Sequence, residues 1–252
     1  MLYALDGTGG SPGESIWDVF GVGFGPANMA LAIALREHIE NGAKIAFKFA
    51  DENIAFDWQA GMLTASSKMT TSFWEDLVTA RNPKSQFTFL NYLHAQERLF
   101  EFMNLREFYP TRIEFTDYLK WCAAQLTRHV DYGRRIVAIR PRRRDGRVNL
   151  LEVTSKSLRG VSAVYVARTV VLGTGRRAVT PSGVGQGCGE RIFHSAEFLT
   201  RIRNGFAEKN RAVSFHDRGR RPERGRYSHV SPRRIPHGAY SGGPPAVLLS
   251  SL

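Results

Sequence analysis

Residues 21 to 28 read Gly21-Val-Gly23-Phe-Gly25-Pro26-Ala-Asn28, a spacing suited to holding a phosphorylated ligand. Glycines let the backbone turn tightly and approach a pyrophosphate, whose charge then lies against free N–H groups at a helix N-terminus. Pro26 occupies the slot where the usual dinucleotide fingerprint has its third glycine. Further along, Asp51 is spaced to accept hydrogen bonds from a ribose hydroxyl. A tight strand-to-helix turn without ligand uses the same residues, so the motif alone leaves the ligand open. Cys122 and Cys188 are the only cysteines. They lie far apart with no neighbouring ligand spacing, which favours ordinary thiols over a disulfide framework or a zinc site; no metal is expected.

These residues need a scaffold, and the pattern supplies one. Ile16 to Gly23 is a short apolar strand running into glycines, and Ala27 to Leu35 is a helical run rich in alanine and leucine. Lys44 to Ala50 reads as a second strand ending at Asp51, so residues 16–51 form a strand-helix-strand unit with a right-handed parallel crossover. From Trp58 to Trp121 the chain is rich in aromatics, with helices expected at Phe87–His94 and Glu114–Leu126. Residues 130–172 alternate polar and β-branched side chains and predict an antiparallel meander followed by a strand into Gly173-Thr-Gly175. The fold class this gives is α/β: a Rossmann-like domain, doubly wound and three-layered.

Bulk properties set the outer limits. With 42% hydrophobic residues in 252 the chain can bury a core. No stretch approaches the roughly 20 apolar residues that span a bilayer. With no secretory leader pattern either, a cytoplasmic protein without membrane contact is expected. The formal charge of +12 raises nucleic-acid binding. Half of that excess, however, sits in residues 211–252, where eight arginines face only Asp217 and Glu223. No aromatic-basic platform or helix-turn-helix accompanies them, so no nucleic-acid partner is expected. The domains are accordingly a flexible N-terminus at 1–15, one domain at 16–205, and a basic tail at 206–252 rich in proline, glycine and arginine and expected to be disordered.

A second constellation is longer: Trp58-Gln-Ala-Gly-Met62, Lys68-Met-Thr-Thr-Ser-Phe73, Asp76-Leu-Val-Thr79, Arg81-Asn-Pro, Phe87-Thr-Phe-Leu-Asn-Tyr-Leu93, Tyr109-Pro-Thr-Arg-Ile-Glu-Phe115 and Tyr118-Leu-Lys-Trp121. With the glycine segment, Leu172-Gly-Thr-Gly-Arg-Arg and Phe193-His-Ser-Ala-Glu-Phe-Leu199, it closely resembles the siderophore N-hydroxylases acting on ornithine or lysine, over about residues 16–203. The proline after Gly25 is that family's own variant. The resemblance implies an enzyme that reduces bound FAD with NADPH, activates O2 on the flavin and transfers one oxygen to a neutral side-chain amine. Its partners would be a small-molecule amine and O2, with a possible homo-oligomer. The implied cofactor contacts are Gly21, Gly23, Gly25, Pro26 and Asn28 at the pyrophosphate, and Asp51, Glu52, Trp58 and Gln59 along the adenosine and flavin. Met69, Thr70 and the backbone near Ile136 complete the set, and no catalytic side chain is assigned. Core packing is the commoner role of aromatics such as Phe56 and Trp58.

Three positions depart from the family pattern. Gln59 stands for its histidine, Thr70 for its glutamine and Glu75 for the lysine that pairs with the substrate α-carboxylate. A glutamate there repels a carboxylate and attracts an amine, which makes Glu75 a candidate substrate-binding residue for a diamine; a solvated surface charge is the plainer alternative. Beyond residue 211 the family continues into an NADPH-binding strand and a glycine-rich turn, whereas this chain reads His216-Asp-Arg-Gly-Arg-Arg-Pro-Glu-Arg224. Suitable codons for that run, read one nucleotide later, encode Thr-Thr-Gly-Gly-Gly-Gly-Gln-Ser-Ala, close to that turn. The expectation is therefore a frameshift near 211–216, a missing NADPH domain, an incomplete FAD domain and little activity. The alternative is a non-catalytic fragment that binds FAD or another nucleotide.

Overall fold

The computed structural model describes residues 15–64, 67–144, 146–175, 192–205, 215–217 and 246–249. They fall into two compact units. One contains the described residues up to Trp58 together with Lys68–Gly175; the other contains Gln59–Ser67 and the described residues from 192 onward.

The first unit is built on one six-stranded sheet. Strand β1 (Ile16–Val22) leads through the glycines into helix α1 (Pro26–Glu40). Proline at the first helical position costs nothing, because that N–H has no intrahelical partner. Met29, Ala32 and Ile33 recur at helical spacing and are buried. Strand β2 (Phe47–Ala50) then pairs parallel to β1, with Gly21 opposite Phe49. The expected strand began at Lys44. It starts later because Ala46 is tied to the start of β1: its amide donates to Asp18 Oδ2 at 2.9 Å, and its carbonyl accepts from Asp18 N at 2.8 Å.

Helices α2 (Phe89–Ala95), α3 (Leu99–Leu105) and α4 (Arg112–Ala124) follow. Thr88 and Thr111 cap α2 and α4, accepting from Asn91 N and Glu114 N at 3.1 Å each. These caps fix starts that apolar spacing alone misplaces by two residues. Helix α3 was not expected: no side chain caps it, and it closes after one and a half to two turns at Arg106 in the left-handed region (φ 51°).

Strands β3 (Val130–Asp131), β4 (Arg134–Arg144), β5 (Arg147–Ser157) and β6 (Ser162–Leu172) complete the sheet in the order β3-β2-β1-β6-β5-β4. The last strand of the expected meander and the expected return strand are one continuous element, β6. The first half of β6 pairs antiparallel with β5, and its second half pairs parallel with β1. The three layers follow from strand alternation. Phe47 and Phe49 face a helical core holding Met29, Phe87, Phe89, Leu93, Tyr118 and Leu119. Phe20, Val22 and Ala50 face the other way and are covered by Ile136, Val153 and Tyr165 of the arm formed by β4, β5 and β6. Tyr165 spans that face, with its ring 4.6 Å from Phe20 and its hydroxyl donating to Asp131 Oδ2 at 2.9 Å. β4 is an edge strand, and its Arg134, Arg135, Arg140, Arg142 and Arg143, its Pro141 and two register shifts are the devices that keep an open edge from pairing further. Part of the positive charge that suggested nucleic acid thus has a structural reason.

In the second unit a 3-10 turn at Ala60–Met62 packs against a second such turn at Ser195–Glu197 and against helix α5 (Phe198–Gly205). Gly61 is needed there, because a Cβ on it would run into the Ala196 carbonyl. Strands β7 (Ile192–His194), β8 (Phe215–Asp217) and β9 (Ala246–Leu249) form a parallel sheet in the order β7-β9-β8. The tail expected to be disordered therefore contributes two short strands. Its remaining residues, residues 1–14 of the N-terminus expected to be flexible, and the start of the expected frameshift at 211–214 lie outside the described residues.

Candidate functional site

The glycine turn is held open by bonds that leave part of it free. Gly23 has φ +81°, a conformation that L side chains rarely adopt, and a Cβ on it would meet the Gly173 carbonyl. Gly173 N donates to Val22 O at 2.8 Å, so the second glycine segment, 173–175, nests against the first. Asn28 is buried beneath both, its Nδ2 donating to Gly23 O at 2.7 Å and to Val22 O at 3.2 Å. Gly23 N donates to Ala50 O at 2.8 Å and Phe24 N to Asp51 Oδ2 at 2.6 Å.

What remains is the start of α1. Met29 N to Gly25 O, 2.9 Å, is its first internal bond, and the N–H groups of Gly25, Ala27 and Asn28 have no partner among the described residues. No acidic side chain occupies the first turn, and a Cβ built on Gly25 meets nothing within 4 Å. Free amides, the positive end of a helix and open space at a glycine are what a phosphate group requires, so this turn fits the pyrophosphate of a dinucleotide.

Asp51 ends β2 beside this turn. Its Oδ1 accepts from Asn53 N at 2.8 Å while its Oδ2 holds Phe24, so it braces the turn and still has lone pairs for a ribose hydroxyl. Glu52 and Ile136 are brought together in a groove of about 740 Å³ that also includes Asn53, Arg135, Lys156 and Leu158. The groove opens at the register shift between Ile136 and Ala138. Arg135 reaches Glu52 across it at 3.7 Å, both side chains being exposed, so the pair contributes little to stability.

Of the other expected residues, Trp58 and Met69 pack on the same helical core. Trp58 is half-buried, 6.0 Å from Phe115, and packs on the helical core, the plainer of its two expected roles. Met69 N donates to Pro110 O at 2.9 Å, and the Thr70 side chain is exposed. Glu75 is exposed with its Oε2 accepting from Ser72 N at 3.0 Å, which closes a local turn. Gln59 belongs to the second unit and has left-handed backbone (φ 52°).

Two positioning residues escaped the sequence reading. Gly173 was read as part of a motif, but its contact with Gly23 is not visible in spacing. Asp76 is a hub: it accepts from Val78 N (2.9 Å), Thr79 N (2.6 Å), Thr79 Oγ1 (2.8 Å) and Phe89 N (2.7 Å). Its Asp-x-x-Thr spacing is a turn signature that could have revealed it. Nearby, Tyr118 accepts from Leu77 N at 3.3 Å and donates to Phe87 O at 2.9 Å. Burial pushes the Tyr118 phenol and the Cys122 thiol far above their usual ranges, so both stay neutral and neither is a reactive group.

A parallel sheet with an anion-ready glycine turn and an antiparallel arm over its second face defines a nucleotide-binding domain. Comparison with known proteins is more specific. Residues 15–214 match the model of the L-lysine 6-monooxygenase/L-ornithine 5-monooxygenase family, and the chain belongs to that family. It is 42% identical over 191 residues to the L-ornithine N(5)-monooxygenase of Burkholderia cepacia, covering 75% of this chain and 43% of that one. Among solved structures it resembles the ornithine hydroxylase of Pseudomonas aeruginosa, with TM-score 0.73 and 34% identity over 81% of this chain and 48% of that one. It also resembles the Kutzneria sp. 744 ornithine N-hydroxylase in a complex with reduced FAD, NADP+ and L-ornithine, with TM-score 0.72 and 38% identity over 80% and 47% of the two chains. The chain thus spans less than half the length of the relatives it matches. Among the described residues no helix is long and apolar enough to cross a membrane.

Proposed function

We propose that this chain carries the FAD-binding half of a cytoplasmic FAD- and NADPH-dependent N-hydroxylase that acts on the side-chain amine of L-lysine, L-ornithine or a related diamine in siderophore biosynthesis. The observation that carries the reading is the start of α1, where the N–H groups of Gly25, Ala27 and Asn28 have no partner among the described residues and a Cβ on Gly25 would meet nothing within 4 Å. Those amides, with Gly21, Gly23 and Pro26 shaping the turn, would hold the pyrophosphate, and buried Asn28 would hold the turn itself. Asp51 would take the ribose, and Glu52 with the backbone of Ile136 the adenine end. Trp58, Gln59, Met69 and Thr70 would line the flavin, and Glu75 would attract the amine end of the substrate. FAD, when bound, supplies the electron transfer and oxygen activation; the protein binds, orients and excludes water. A homo-oligomer belongs to the same reading.

The eight arginines of residues 211–252, where the family's glycine-rich turn is expected, favour a second reading, a chain that binds FAD without catalysis and whose arginine-rich tail is translated out of frame; the gene's nucleotide sequence tests the frame directly. Purified chain mixed with FAD should show a bound-flavin absorption band. A colourless product would remove the first reading's foundation, and NADPH oxidation dependent on an added amine would remove the second.

A further inference from the structure

The groove beside Asp51 carries a charge arrangement that strand pairing by itself disfavours. Arg135 of β4 stands directly opposite Lys156 of β5, and like charges opposed across an antiparallel pair repel. Both side chains are exposed and line the groove, where the carboxylate of Glu52 lies 3.7 Å from Arg135. Two cations therefore share one carboxylate in the groove. The register shift just past Ile136 separates this end of β4 from the rest of the strand, an irregularity of the kind that re-aims side chains beside a site. The groove is also tied to Asp51: Arg134 N donates to Asp51 O and Gly133 N to Asn53 O, each at 2.8 Å. A dinucleotide with its pyrophosphate on α1 and its ribose on Asp51 would meet Glu52 and Arg135, the next residue along on either side, with its base.

We propose that Arg135 is the residue that covers the adenine of the bound dinucleotide, its guanidinium plane stacked on the face of the base, with Glu52 and Lys156 steering it there. Two cations alone would suit a further phosphate, but Glu52 stands at the same place and repels one. A neutral aromatic base satisfies both signs. Its face attracts a guanidinium, which is flat and weakly hydrated, and its amino edge can donate to a carboxylate. The rest of the groove agrees, since Ile136, Val137 and Leu158 give it an apolar wall. Lys156 repels the guanidinium from the strand side while Glu52 attracts it from across the groove. The inference rests on the dinucleotide reading of the glycine turn given above.

The test titrates the 252-residue chain with FAD, followed by flavin fluorescence, and with ADP, followed by calorimetry. ADP carries the same adenosine and pyrophosphate without the flavin. Arg135→Ala should weaken both ligands by about fivefold or more. Its melting temperature should stay within about 1 °C of the wild type, because the side chain is exposed. Arg135→Lys should stay as weak as Arg135→Ala, since an ammonium keeps the charge and lacks the plane. Inorganic pyrophosphate, competing against FAD, should bind all three proteins equally. Equal affinity for FAD and ADP in wild type and Arg135→Ala would overturn the proposal. So would full recovery by Arg135→Lys, which would mean that the residue only attracts the phosphates. Failure of the functional reading looks different: a chain that binds ADP through Arg135 but takes no FAD removes that reading and keeps this one. FAD held equally by wild type and Arg135→Ala does the reverse, and binding of neither ligand removes both.

Discussion

The glycine turn and the Ser72–Thr79 segment are both conspicuous in the sequence, yet the structure treats them differently. Around the glycine turn the bracing groups come from β1, β2, α1 and Gly173, all inside the first unit, and only the three amides that a ligand would use are left without partners among the described residues. Around Ser72–Thr79 the inner side is equally well made, because Asp76 and Tyr118 bind it from within. Its outer side, with Trp74 and Glu75, is bare. A site for the adenosine and pyrophosphate end of a cofactor can be completed by one strand-helix-strand unit and its neighbours. A site for an amine must be closed from the other side.

Substitutions can break or sharpen this contrast. The largest effect is expected at Asp76: Asp76→Ala leaves the N–H groups of Val78, Thr79 and Phe89 without their acceptor and should cost about 4 kcal/mol of unfolding free energy in urea. At the glycine turn, Asn28→Ala removes the donor to Gly23 O and leaves Val22 O with Gly173 N alone. It should cost about 2 kcal/mol and also weaken FAD binding, whereas Asp76→Ala should alter stability more than affinity for the adenosine end. Glu75→Lys should change stability by less than about 0.5 kcal/mol, because the side chain is exposed and closes only its own turn; a cost several times larger in a thermal melt would mean that the outer side is already structural.

The smallest effect concerns pH. His129 stacks on Phe47 with ring centroids 4.2 Å apart, and burial holds its pKa below the ordinary 6.5. The unfolded chain therefore binds the proton more readily. The stabilising contribution is complete above pH 6.5 and is lost as pH falls from there through the folded value. In His129→Phe the slope of stability against pH just below 6.5 should be shallower than in the wild type, as urea titrations at several pH values would measure.

How much of this was legible depended on whether the physics was local. The strand, glycine turn and helix at 16–40 could be read because periodicity, glycine spacing and Pro26 act within a few residues. The ends of α2 and α4 shifted because hydroxyl caps at Thr88 and Thr111 outweigh the apolar period. Helix α3 was hidden because it is short and lacks a capping side chain. The double role of β6 was hidden because a strand's partners are set by chain segments far away in sequence. The same limit applied to the candidate site. Gly21, Gly23 and Gly25 announced themselves, whereas the contact of Gly173 with Gly23 and the reach of Asp76 to Phe89 exist only after folding. Glu75 stood out by its departure from the family's lysine, and the fold adds that its carboxylate already has a backbone partner.

The central claim is that the start of α1 is an open pyrophosphate site, and Gly25 tests it most directly. Gly25 lies at φ −77°, where any residue is comfortable, and a Cβ there meets no protein atom within 4 Å. Gly25→Val should therefore melt within about 1 °C of the wild type yet bind FAD at least tenfold more weakly in a fluorescence titration, since the side chain fills the space meant for phosphate. Equal FAD affinity in wild type and Gly25→Val would contradict the account.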